Sequence, residues 1–128
     1  MSRIQAIQTD SAPAAIGPYS QAIAAAGFLF SAGQIGLVPG TGEIVGPDVE
    51  SQAHQVFANL EAVLSEAGLG FRDVVKTTVY LVDMADFGAV NAIYGDHFAE
   101  PYPARSTVAA AGLPKGARVE VDVIARIS

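Results

Sequence analysis

The stretch VESQAHQVFANLEAVLSEAGLGFRDVVKTTVYLV, residues 49–82, decides the fold. Val49, Ala53, Val56, Phe57, Leu60, Val63, Leu64 and Ala67 recur at steps of three and four, which is the apolar stripe of a helix from about Val49 to Ala67. Asp48 stands where an N-cap is needed, and Gly68 where a C′ residue is needed. Glu50, Gln52, Asn59, Glu61 and Glu66 fall mostly off the stripe, and His54 falls on its polar flank. Residues 74–82, VVKTTVYLV, are β-branched and aromatic and read as a strand.

Working outward, residues 3–8 form a short strand and 9–18 a loop marked by Pro13, Gly17 and Pro18. Residues 20–26 and 28–32 flank Gly27 as a tight hairpin. Residues 33–47, with five glycines and two prolines, read as a long loop with its own turn at Pro39–Gly42. Downstream, Asp86 is placed to cap a second helix over 87–98, which Pro101 and Pro103 end. Strands follow at 104–110 and 118–127. In the last, Val119, Val121, Val123, Ala125 and Ile127 share one face, and Glu120, Asp122, Ile124 and Arg126 the other. The order βββαβαββ predicts one α+β domain over residues 1–128, with two crossovers placing both helices on one face of a mixed sheet.

The chain is 51% hydrophobic and only 16% charged. Disorder is excluded. The other sheet face has no helix to cover it, so a homo-oligomer is expected. Seven basic residues stand against 13 acidic ones, a net charge of −6, which argues against nucleic acid and anionic membranes as partners. Cysteine is absent, so disulfides, thiolate nucleophiles and cysteine-held zinc are excluded. The two histidines, His54 and His97, stand in no metal-ligand spacing. No apolar run approaches the ~20 residues of a membrane span. Residues 1–5 show no charged region leading into an apolar one. The expected compartment is the cytoplasm.

No phosphate-binding loop, dinucleotide fingerprint or nucleophile elbow is present. His97, near the end of the second helix, reads as dipole complementation or core packing. Three segments carry candidates. Tyr19 follows the Gly17-Pro18 turn and can wall a pocket. Arg105 follows two prolines and opens a strand of small residues, where a fixed guanidinium suits bidentate binding of a carboxylate. Glu120 is a carboxylate in the middle of an apolar strand. Arg105 and Glu120 lie on sequential strands joined by a short turn and are expected to be neighbours in a hairpin. Together they would hold a substrate carboxylate beside a group that handles a proton or a water.

The segments IGPYSQ (16–21), SAGQIG (31–36), VKTTVYL (75–81), VNAIY (90–94), PARST (103–107) and LPKGARVEV (113–121) occur in order. Jointly they resemble the RidA (YjgF-type) family of reactive intermediate deaminases, over about Ala14 to Ile127. The resemblance implies a chorismate-mutase-like fold and a homotrimer with clefts between subunits. It implies hydrolysis of enamine/imine intermediates of the 2-aminoacrylate and 2-iminopropanoate type to a 2-keto acid and ammonia, without metal or organic cofactor. It maps the carboxylate-binding arginine onto Arg105, the water-orienting glutamate onto Glu120 and the pocket tyrosine onto Tyr19. A backbone contact near the substrate nitrogen maps onto Thr107, and Gly33 and Asn91 match further substrate-binding positions.

Many members carry serine just before that glycine, where this chain has Ala32. Ser31, one step earlier, faces the other side of an extended strand and is not expected to replace it. The expected site lies between subunits: with Arg105 and Glu120 from one chain, Tyr19 or the loop from Gly33 onward would complete the cleft from, or beside, another. A non-catalytic keto-acid-binding or regulatory trimer is the main alternative. An endoribonuclease is a further one, opposed by the negative charge.

Overall fold

The computed structural model describes residues 3–127. Its elements are β1 (Gln5–Ile7), β2 (Ala22–Ala25), β3 (Phe28–Ser31), β4 (Gln34–Ile35), α1 (Val49–Glu66), β5 (Val74–Leu81), α2 (Phe87–Gly95), β6 (Ala104–Ala109) and β7 (Val119–Arg126). The expected hairpin is present: β2 pairs antiparallel with β3 around Ala26 and Gly27, both at positive φ. α1 begins and ends as its sequence requires. The Asp48 carboxylate accepts from Ser51 N–H at 2.9 Å. Gly68, at φ +76°, closes the far end, with Leu69 N–H reaching back to the Leu64 carbonyl.

One mixed sheet runs β1-β2-β3-β7-β5-β6, with β4 also pairing β7. β5 and β6 are parallel, joined through α2, while β7 lies antiparallel to β5 on its other side. The crossover through α2 is what a parallel pair requires, and β6 takes the outer edge and β7 the interior place. The expected hairpin between the last two strands therefore does not exist, and β5 separates them. Val119, Val121, Val123 and Ala125 are buried under α1 and α2, as their alternation predicts. The core continues through Val56, Phe57, Leu60, Val63 and Leu64. The opposite face has no helix and exposes Phe28 and Phe30, 6.5 Å apart, beside Ile124.

The structure corrects three local expectations. Gln34–Ile35, inside the expected loop, is a strand pairing with Val121 and Glu120; two residues are too few to show a period. The second helix stops at Gly95 rather than Phe98. Asp86 does not cap that helix through its side chain, since Arg118 Nη2 holds both its carboxylate oxygens at 2.9 Å.

Gln52 and Asn59 fall among the polar residues of α1 yet are buried, because each binds backbone that no strand serves. Gln52 donates to the Gly46 carbonyl at 2.8 Å and accepts from Arg118 N–H at 2.8 Å. Asn59 donates to the Leu37 carbonyl at 2.9 Å. These bonds fasten the loop around β4, and the start of β7, to α1. Gln52→Leu leaves those backbone groups unpaired, at about 1–3 kcal/mol for each that stays buried. Denaturant unfolding is expected to show a lower midpoint at unchanged slope.

Candidate functional site

The candidate residues form two clusters on opposite faces of the sheet. Glu120 is the cross-strand partner of Tyr80 and Ile35, and its side chain stands on the helix-free face. It lines a cavity of about 440 Å³ with Tyr19, Ala32, Gly33, Gln34, Ile16, Leu37, Pro114 and Lys115. Gln21 holds the loop before Tyr19. Its Oε1 accepts from Thr9 N–H at 2.7 Å, and its Nε2 donates to the carbonyls of Thr9 and Pro13 at 3.1 and 2.7 Å. Lys115 bridges to the Gly42 carbonyl at 3.0 Å and closes the far wall.

The Glu120 carboxyl lies directly over Gly33. A Cβ there would stand 2.7 Å from its Cδ and 2.9 Å from its Cγ, and closer still to Oε2. Gly33 is thus glycine because a carboxylate occupies the place of a side chain. Burial raises the proton affinity of Glu120 above the usual carboxylate range, and the charge of Asp122 adds to the effect. Asp122 stands two residues along the same face and accepts from Tyr80 Oη at 3.1 Å.

Ala32 lines the cavity and supplies no hydroxyl. The Ser31 Oγ is engaged elsewhere, accepting from Val123 N–H at 2.9 Å where the β3–β7 ladder breaks before β4. Ser31 therefore does not replace the missing serine, as expected.

Arg105 pairs with Thr77 on β5 and points to the helix face. Its Nη1 donates to Asn91 Oδ1 at 2.7 Å. Its Cζ lies 4.7 Å from the Tyr94 ring centroid and 5.5 Å from that of Phe87. Thr107 stands two residues further along β6, lining the same recess with Asn91, Tyr94 and Arg105. Arg105 and Glu120 are thus two strands apart, about 10 Å laterally, and face opposite ways. The structure groups Tyr19 and Gly33 with Glu120, and Asn91 and Thr107 with Arg105. This corrects the expectation that Arg105 and Glu120 adjoin within one chain.

A family model described as Endoribonuclease L-PSP matches residues 9–127. The chain belongs to this family, also known as the YjgF/RidA family. It is 62% identical over 121 residues to a RutC family protein of Synechocystis, covering 93% of each chain. It is 49% identical over 119 residues to the 2-iminobutanoate/2-iminopropanoate deaminase of Mus musculus, covering 93% of this chain and 88% of that one. The crystal structure of RidA from an Antarctic Psychrobacter matches with TM-score 0.91 at 45% identity, covering 96% of this chain and 99% of that one. The fold is the chorismate-mutase-like α+β fold of these family members. Among the described residues, no helix is long and apolar enough to cross a membrane.

Sequence reasoning missed Asp122, Lys115 and the aromatic pair around Arg105. Asp122 was legible as a second carboxylate on the face of Glu120. The others come near the candidates only through tertiary contacts.

Two outcomes follow from the Glu120 cluster. Gly33→Ala is expected to leave the fold intact and swing the Glu120 carboxyl out of its seat, visible in a crystal structure of the variant. Asp122→Asn removes a neighbouring negative charge that disfavours ionised Glu120. The Glu120 midpoint is therefore expected to move to lower pH in a carboxyl-carbon NMR titration.

Proposed function

We propose that the protein is a hydrolytic deaminase of small 2-imino acids, releasing a 2-keto acid and ammonia, and that its site is assembled between copies of the chain. The observation that carries this reading is the separation of the two clusters. An uncommitted guanidinium edge and a half-buried carboxylate of raised proton affinity are what an imino acid needs at its two ends, yet one chain holds them on opposite sheet faces. A copy packed head-to-tail against its neighbour would bring the Arg105 edge of one to the Tyr19–Gly33–Glu120 cavity of the next. Repeated around a three-fold axis, that contact closes into a homotrimer. The exposed Phe28 and Phe30 face supports association.

In this reading Arg105 binds the substrate carboxylate in bidentate fashion, and Asn91 fixes the guanidinium. Tyr19 walls the cavity, and the Thr107 backbone contacts the substrate nitrogen. Glu120, as carboxylate, accepts a proton from a water whose oxygen bonds to the imine carbon, and the C=N π electrons move to nitrogen. The protonated Glu120 then returns its proton to that nitrogen. Glu120 then passes the proton of the new hydroxyl to the same nitrogen, the C–N bond breaks with its electron pair leaving on ammonia, and the carbon–oxygen bond becomes the keto carbonyl. No activated nucleophile is required, because orienting water and timing two proton transfers suffices for so reactive a bond. Ala32 removes only a hydroxyl from the cavity wall. The mouse relative's name agrees with this activity. The net charge of −6 opposes an RNA substrate, despite the family's description.

The test is trapping of 2-iminopropanoate by semicarbazide, which the protein should suppress by hydrolysing the imine first. Binding of pyruvate without any suppression would instead favour a keto-acid-binding role. Arg105→Lys keeps the charge and loses the fork. Arg105→Lys is expected to lose most of the activity, and Arg105→Ala, which removes both hydrogen bonds of about 1.5–3 kcal/mol each, to lower kcat/KM at least about a hundredfold. The fold should persist, since Arg105 is exposed. Near wild-type kcat/KM for Arg105→Ala would remove the assignment.

A further inference from the structure

We infer that Tyr94 is a positioning residue for Arg105, its ring serving as the platform that fixes the guanidinium and so sets affinity for the substrate carboxylate. This inference rests on the reading of Arg105 given above. Arg105 is exposed on an edge strand between Ala104 and Ser106, side chains too small to restrain it. A long side chain in that setting samples many rotamers unless something outside the strand holds it. The only salt bridge among the described residues joins Arg118 to Asp86, so no carboxylate among them holds Arg105.

What holds it is one face of α2. Phe87, Asn91 and Tyr94 follow at steps of four and three and line up along the helix. Asn91 takes one N–H of Nη1 at 2.7 Å. The guanidinium lies over the Tyr94 ring, with Cζ 4.7 Å from its centroid, and over that of Phe87 at 5.5 Å. An aromatic face attracts the cation without consuming its N–H donors. A carboxylate in that place would compete with the substrate. Among the described residues nothing bonds the Nε and Nη2 edge, which is left for a bidentate partner.

The platform itself is anchored. Tyr94 Oη lies 2.9 Å from Thr77 Oγ1, and both residues are buried. The Phe98 ring lies 4.5 Å from the Tyr94 ring, centroid to centroid, and that of Phe57 6.0 Å. Thr77 is also the cross-strand partner of Arg105. The β5–β6 register therefore puts the hydroxyl that pins the ring beside the residue the ring supports. A mobile surface cation is in this way referenced to the rigid core.

The experiment is a calorimetric titration of the assembled protein with 2-oxobutanoate, which needs no turnover, paired with steady-state kinetics on 2-iminobutanoate. Tyr94→Leu removes the platform and is expected to raise Kd about tenfold, with Phe87→Leu raising it about threefold. Tyr94→Phe keeps the ring and is expected to restore most of the affinity lost in Tyr94→Leu. Because the carboxylate contact exists in ground and transition states alike, KM should rise in Tyr94→Leu while kcat holds. A general loss of packing would lower kcat and the unfolding midpoint together. A folded Tyr94→Leu protein with wild-type Kd, while Arg105→Ala abolishes binding, overturns the inference and leaves the deaminase reading standing. If Tyr94→Leu does not fold, an unchanged Kd in Phe87→Leu overturns it instead. If Arg105→Ala binds as wild type does, or wild type binds nothing, the carboxylate assignment and this inference fall together.

Discussion

β5 stands between β6 and β7, and the chemistry of the molecule depends on that placement. β6 reaches the sheet through α2 and lies parallel to β5, on its outer side. β7 fills the interior place between β5 and β3. Each strand then offers a different face to a ligand. The even residues of β7 look away from the helices, whereas Arg105 on β6 looks toward them. Two groups of complementary chemistry are held apart by the sheet that carries both, and in the proposed assembly a neighbouring copy brings them together.

The same placement accounts for the composition. A chain that is 51% hydrophobic places one set of apolar residues under two helices and still has Phe28, Phe30 and Ile124 on the bare face. Burying that face against another copy removes apolar area from water, which is the main favourable term in association. In the proposed assembly the contact that covers the face also completes the cleft. Stability and activity would then be coupled through one interface.

Much of the fold was legible in the sequence because its elements are locally specified. α1 carries its stripe and both caps, and β7 alternates without interruption. β4 was not legible, since a two-residue strand exists only through its pairing with β7. The burial of Gln52 and Asn59 was not legible, because burial of an amide depends on distant backbone that needs a partner. At the site, Arg105, Glu120, Tyr19 and Gly33 stood out by residue type or by family resemblance. Their spatial grouping did not, because adjacency in sequence suggested a hairpin where the chain inserts β5. The close seat of Glu120 on Gly33 and the placement of Arg105 over the Tyr94 ring are three-dimensional facts that no periodicity encodes.

The central claim is that one working site needs Arg105 from one copy and Glu120 from another. Equal amounts of Arg105→Ala and Glu120→Gln chains, each inactive alone, can be unfolded together, refolded and assayed for imine hydrolysis. In a closed ring of randomly mixed chains, about one interface in four pairs an intact Arg105 with an intact Glu120. The account predicts recovery of about a quarter of wild-type activity. Mixed assemblies that form yet stay as inactive as either variant alone would contradict it.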